Sequence, residues 1–178
     1  MDFKLITPPA EMPVSIDEAR TAARANGTDN DQEIQSRVNA LTEEAEHIIG
    51  QAIINRTYRA TLASFPDTIV LPAAPVASVN EITYFDADGA EQTLPIDSYF
   101  LNAKGVIERT PGTSWPVTQE RSNAVKVDVV VGHGADSSSA PAAFKGYILA
   151  KTREYFAPAG TPESPHLIRQ LDSLKVYR

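Results

Sequence analysis

The chain has 178 residues, 42% of them apolar and 22% charged, which suits one soluble domain, or one carrying a small insertion, with a core that needs no staples. Its formal net charge of −7 opposes a sequence-independent grip on phosphate backbones. The absence of cysteine excludes disulfides, thiol catalysis and thiolate metal sites, as suits a reducing cytosol.

The N-terminal stretch to Pro13 carries Pro8, Pro9 and Pro13, which hold it extended. It lacks the basic region and apolar run of a signal peptide, and no apolar run approaches the roughly 20 residues that span a bilayer. The expectation is synthesis in the cytoplasm and no membrane partner. Ser15-Ile16-Asp17-Glu18 is a capping box: a hydroxyl for an orphan amide and a carboxylate three residues on that reaches back. It opens a short helix to about Ala25, which Asn26-Gly27 stops. Asn30 or Asp31 then caps a helix of about 24 residues (a length set by its pattern). Ile34, Val38, Leu41, Ala45, Ile48 and Ala52 alternate steps of four and three, so they form one stripe. Glu33, Arg37, Glu43, Glu44 and Glu46 lie off that stripe, in water or against another subunit.

From Thr57 to Val131 the apolar period falls to two. Tyr58, Ala60 and Leu62 alternate with Arg59 and Thr61, and Val79 to Phe85 is rich in strand formers. Asp86-Ala87-Asp88-Gly89 reads as a hairpin turn, with the return strand ending at Leu94. Tyr99 to Leu101 and Val106 to Glu108 make a second short pair around Lys104-Gly105, and Val125, Val127, Val129 and Val131 alternate along a half-buried strand. Prolines at 66, 72, 75, 95, 111 and 116 mark strand ends. A flexible link, Gly132 to Ser139, leads to a helix opened by Pro141. Phe144, Ile148, Lys151, Thr152 and Tyr155 follow its inner side, and a short last helix spans about Pro165 to Leu174.

This order predicts an α+β protein: a bundle of about four helices with a small antiparallel β lobe inserted. Residues 1–56 form the N-terminal arm and helices, 57–134 the β lobe, and 140–178 the helices that complete the bundle.

Chemistry is sparse. His47, His133 and His166 fall in no ligand spacing and read as structural or incidental. Asp86 to Gly89 resembles the start of a calcium loop but lacks its closing glutamate. Gly132-His133-Gly134 lacks the rest of a phosphate cradle, and Ser137 to Ser139 has no orienting base. No catalytic, cofactor-binding or metal set converges, so the expectation is a binding or structural protein, not an enzyme. Trp115 reads as an anchor that packs a loop on the β lobe, or as an interface hot spot.

The linear pattern resembles the head–tail connector (adaptor) proteins of tailed phages and gene transfer agents. It is carried by Leu5-Ile6-Thr7-Pro8-Pro9, Pro13 to Ala19, the long helix ending near Ile53, and Asn55-Arg56-Thr57-Tyr58-Arg59. Ile69 to Pro72, Pro75 to Val79, Ile82 to Asp86, Gly112 to Pro116, and the strand Asn123 to Gly134 followed by Pro141 complete it. It covers the chain to about residue 156 and leaves Ala157 to Arg178 unmatched.

The resemblance implies a structural subunit of a virion or phage-like particle. Subunits of that family form a ring, usually of twelve, beneath the portal protein. The ring carries the next connector or a tail terminator protein, extends the DNA channel without binding DNA specifically, and uses no cofactor. In such proteins the helices build the ring wall and the β lobe projects outward.

Two sets of residues then become interface candidates. Glu33, Glu43, Glu44 and Glu46 face either the channel or an adjacent subunit, and charge reversal there should disturb ring formation or DNA retention. Leu167, Ile168, Leu171 and Leu174 make an apolar stripe, to which Arg169, Lys175 and Arg178 add positive charge. That segment either packs on its own domain or docks on the portal. The competing reading is a tail- or baseplate-associated β module that binds a ligand through exposed aromatic residues, with Tyr84, Phe85, Tyr99, Phe100 and Trp115 available.

Overall fold

The computed structural model describes residues 1–162 and 164–176. They divide into two compact units, one of residues 1–9 and 55–132, the other of residues 10–54 and the described residues from 133 to 176. The architecture is α+β: a helical bundle and a β lobe whose sequence is inserted between the second and third helices.

In the helical unit, α1 spans Ile16–Ala23, α2 Asp31–Ile49 and α3 Ala142–Tyr155, and a 3₁₀ helix covers Leu167–Leu174. The capping box forms as its residues dictate. Ser15 Oγ accepts from the Glu18 amide, and the Glu18 carboxylate accepts from the Ser15 amide at 2.8 Å; such a cap contributes about 1 kcal/mol. α1 ends earlier than Asn26-Gly27 suggests, because Arg24 takes the left-handed conformation at φ 56°. Arg20 bonds both Asp17 and Asp31, tying α1 to the start of α2.

α2 has 19 residues rather than about 24, because Gly50 turns left-handed and its amide closes the helix on Glu46. Its buried stripe is Ile34, Val38, Leu41, Ala45 and Ile49, with Ile48 only half-buried. Ile49 lies four residues beyond Ala45 and so keeps to the helix face. α3 buries Phe144, Tyr147, Ile148 and Thr152. Tyr155, expected inside, is 51% exposed and lies under the Arg37 guanidinium at 4.5 Å. These helices and the 3₁₀ helix close one core around Ile34, Leu41, Phe144, Tyr147, Ile148 and Leu171.

In the other unit, the strands are β1 (Asp2–Thr7), β2 (Arg56–Leu62), β3 (Thr68–Val70), β4 (Val76–Phe85), β5 (Glu91–Thr93), β6 (Tyr99–Leu101), β7 (Val106–Arg109) and β8 (Val125–Val131). A five-stranded sheet has the order β1-β2-β8-β4-β5 and a three-stranded one β3-β7-β6, with every pairing antiparallel. The N-terminal arm, grouped by sequence with the helices, is the edge strand β1, paired from Asp2↔Thr61 to Thr7↔Thr57. Backbone hydrogen bonding decides this, since an extended segment satisfies its amides best on an open strand.

β8 alternates as read: Val125, Val127, Val129 and Val131 are fully buried, beside Ala60 and Ile82, both opposite Val127. Ile69 and Ile107 pair at the centre of the small sheet and are also fully buried. The Asp86 to Gly89 turn is held by Asp86, whose Oδ1 accepts from the Asp88 and Ala90 amides.

Several carboxylates are held below their ordinary range. A bond from Lys145 is the main cause at Glu18, one from Arg20 at Asp31 and one from Lys126 at Glu91. The Ser164 amide does the same for Glu154, and the Ser138 hydroxyl for Asp136. A carboxylate with a lowered folded value binds fewer protons folded than unfolded. Its contribution is complete above the ordinary carboxylate value, about 4, and disappears as pH falls through the lowered value. The carboxylates therefore leave the melting temperature flat from neutral pH down to about 5 and make it fall steadily below about 4. His133, whose proton affinity burial lowers, adds a decline that begins below about 6.5, as calorimetry across that range would show. A melting temperature unchanged down to pH 2 would contradict it.

Candidate functional site

The acidic residues of α2 do not form one equivalent set. Glu33 and Glu43 are exposed. The Glu44 carboxylate accepts from the Tyr147 hydroxyl at 3.3 Å, and burial beside that negative charge pushes the Tyr147 phenol up to about 12. The half-buried Glu46 accepts from the Ile53 amide at 2.8 Å, bracing the loop after the helix. Reversing charge at Glu46 thus removes an internal bond, whereas Glu33 and Glu43 offer their charge to water or a partner.

The C-terminal candidates divide similarly. Leu171 is fully buried, and Leu167 and Leu174 pack against the helical core. Ile168 is 45% exposed. Lys175 pairs with Asp172 at 2.7 Å, and the Val176 amide donates to the Ile49 carbonyl at 3.0 Å, fastening the segment to the end of α2. Arg178 lies outside the described residues.

Trp115 stacks on Phe65, with centroids 4.9 Å apart and planes 7° from parallel. Phe65 meets Tyr84 edge-on at 5.8 Å. This short ladder fixes the loop after β7 to the loop after β2. Phe65 is not singled out by the sequence pattern; its only local mark is its place between Ser64 and Pro66. Of the other aromatic residues, Tyr99 is buried, Phe100 is exposed, and Phe85 is covered by the Arg121 guanidinium at 3.9 Å. His47 and His166 are exposed. His133 Nε2 lies 2.9 Å from Gln51 Oε1, and burial lowers its proton affinity.

Register brings together a surface the sequence did not reveal. On the polar face of the large sheet, Lys4 pairs with Arg59, Arg59 with Asp128, and Asp128 with Glu81. Arg59 and Asp128 form a two-pronged ion pair, both bonds 2.7 Å. Alongside, Lys126 pairs with Glu91 at 2.7 Å. Arg59, Asp128, Lys126, Glu81, Glu91 and Thr93 line an open depression of about 430 Å³.

Among the described residues, no group of three or more histidine and acidic side chains is placed to hold a metal ion, and no helix is long and apolar enough to cross a membrane.

No protein-family model and no curated protein sequence matches the chain. Solved structures do match, and they come from gene transfer agent particles. The chain is similar over its whole length to a component of the neck of an empty gene transfer agent particle computed with C6 symmetry, at 22% identity and a TM-score of 0.80 over 97% of that chain. A component of the native gene transfer agent virion matches at 22% identity and a TM-score of 0.78, with the same coverage of both chains. One from the native neck computed with C12 symmetry matches at 23% identity and 0.72, again over 100% and 97%. The class defined is thus one of fold: an α+β protein folded like gene transfer agent neck components, in both its units.

Proposed function

We propose that this protein is a structural head–tail connector of a tailed phage or gene transfer agent particle. Its copies form a ring, of twelve subunits, beneath the portal protein. The ring carries a tail-side connector or tail terminator protein and continues the DNA channel. The observation that carries this reading is the full-length likeness to neck components, at a TM-score up to 0.80.

The surfaces agree with such a role. A ring built head to tail needs two different, complementary patches on each subunit. The exposed carboxylates of Glu33 and Glu43 suit either a channel wall along which DNA slides or a basic neighbour, because like charge keeps the phosphate backbone from adhering. Ile168 and Lys175 remain candidates for the portal contact. Truncation after Pro165 should weaken that contact, although it also removes Leu171 from the core, so Ile168→Ala is the cleaner variant.

The direct test mixes the purified protein with the portal protein of the same genome and images the mixture by negative-stain electron microscopy. A second ring stacked on the portal is expected. Bare portal rings at high protein concentration would reject the adaptor role and favour a ligand-binding β module.

A further inference from the structure

The charged row across the large sheet is polarised. It reads Lys4, Arg59, Asp128, Glu81 from the β1 edge to β4. Both cations stand on one side and both anions on the other. Within a single copy this is an unfavourable order, because like charges directly opposite on neighbouring strands repel. The inner pair, Arg59 and Asp128, satisfy each other. Lys4 and Glu81, both exposed, are left at opposite ends of the row.

The edges differ in the same sense. β1 carries an apolar margin: Leu5 is 41% and Ile6 40% exposed. Phe3, stacked on Tyr58 at 4.5 Å, extends it. β5 is only three residues long and pairs only with Thr83, Tyr84 and Phe85, so the β4 edge from Val76 to Glu81 has no strand of this chain on its outer side among the described residues. A lysine on an edge strand ordinarily discourages strand pairing. An acidic receiving edge converts that device into selection for one partner.

We propose that the β1 edge of one copy docks against the β4–β5 edge of the next. Lys4 then enters the depression rimmed by Glu81 and Glu91, and the apolar margin of β1 is covered. The occupant is a second copy of this chain, because the acidic edge and the basic edge complement each other only between copies. The arrangement is heterologous and so propagates around a ring. It rests on the ring reading above and gives that ring a lateral contact in its β lobe.

Because this chain has no cysteine, cross-links between its copies can arise only from introduced thiols. Asp2 and Thr93 end the neighbouring cross-strand row, through Thr61, Lys126 and Thr83. The full-length variant Asp2→Cys/Thr93→Cys, mixed with portal and treated with a short bismaleimide, should give a ladder of covalent multimers, and neither single variant should. Adding Lys4→Glu or Glu81→Lys should cut the ladder about two- to fivefold, the range for exposed ion pairs, and the double reversal should restore it. Dimers from Asp2→Cys alone, as abundant as from the pair, would overturn the proposal in favour of a two-fold β1–β1 contact. A stacked ring in the electron microscope without a ladder would overturn the edge contact and leave the ring reading standing. Bare portal without a ladder would overturn both.

Discussion

Phe144→Ala should destabilise the helical unit by about 4 kcal/mol, the midrange for deleting a buried aromatic ring. Phe144 is fully buried in the core that Ile34, Leu41, Tyr147 and Ile148 share. Its removal forfeits the transfer energy of the ring and leaves a cavity that packed helices fill only partly. For a chain of this size the melting temperature should drop by about 8–16 °C. Far-UV circular dichroism, dominated by the helices, is the readout. Trp115, the sole tryptophan, lies in the other unit, stacked on Phe65, so its fluorescence reports that unit separately. A shift of the helical signal below about 2 °C would show that the site collapses without loss and would contradict the prediction.

Gly132→Ala should act on the β-containing unit instead. Gly132 has φ 146°, in the region that favours glycine, and an added Cβ would lie 2.7 Å from both the Cα and the amide nitrogen of Asn55. Those are backbone atoms, so no rotamer change relieves the clash. The Gly132 amide also donates to the Pro75 carbonyl at 3.0 Å, which holds the segment in place. Backbone strain and overpacking together should cost about 3 kcal/mol, read as a drop of about 6–12 °C in the Trp115 transition. Gly112→Ala is the comparison: it also has a positive φ, 87°, but nothing lies within 4 Å of the added carbon. Equal losses at the two positions would mean that conformation alone, and not the approach to Asn55, sets the cost.

The resemblance to connector proteins rests in the sequence on short stretches in a fixed order, and the solved structures from gene transfer agent particles carry the same fold at 22–23% identity. The candidate surfaces were legible as lists of charged and apolar residues, and the structure sorts those lists. Glu44 and Glu46 have internal hydrogen-bond partners that their helical positions do not announce. Leu167, Leu171 and Leu174 are drawn into the core while Ile168 stays out. Helical spacing identifies residues that share a face but not what that face meets.

What the sequence determined by itself is what neighbours along the chain decide. The Ser15–Glu18 cap, the stripe of α2, the Asp86 turn and the alternation of β8 all depend on residues within a few positions of one another. What only the tertiary structure decided is which distant segments meet. β1 pairs with residues 50 to 59 positions further along the chain, from Thr7↔Thr57 to Asp2↔Thr61, and no local preference names that partner. The polarised row from Lys4 to Glu81 exists only in this register. A slip of one residue would turn every side chain of a strand to the other face, and the cations and anions would no longer line up across the sheet.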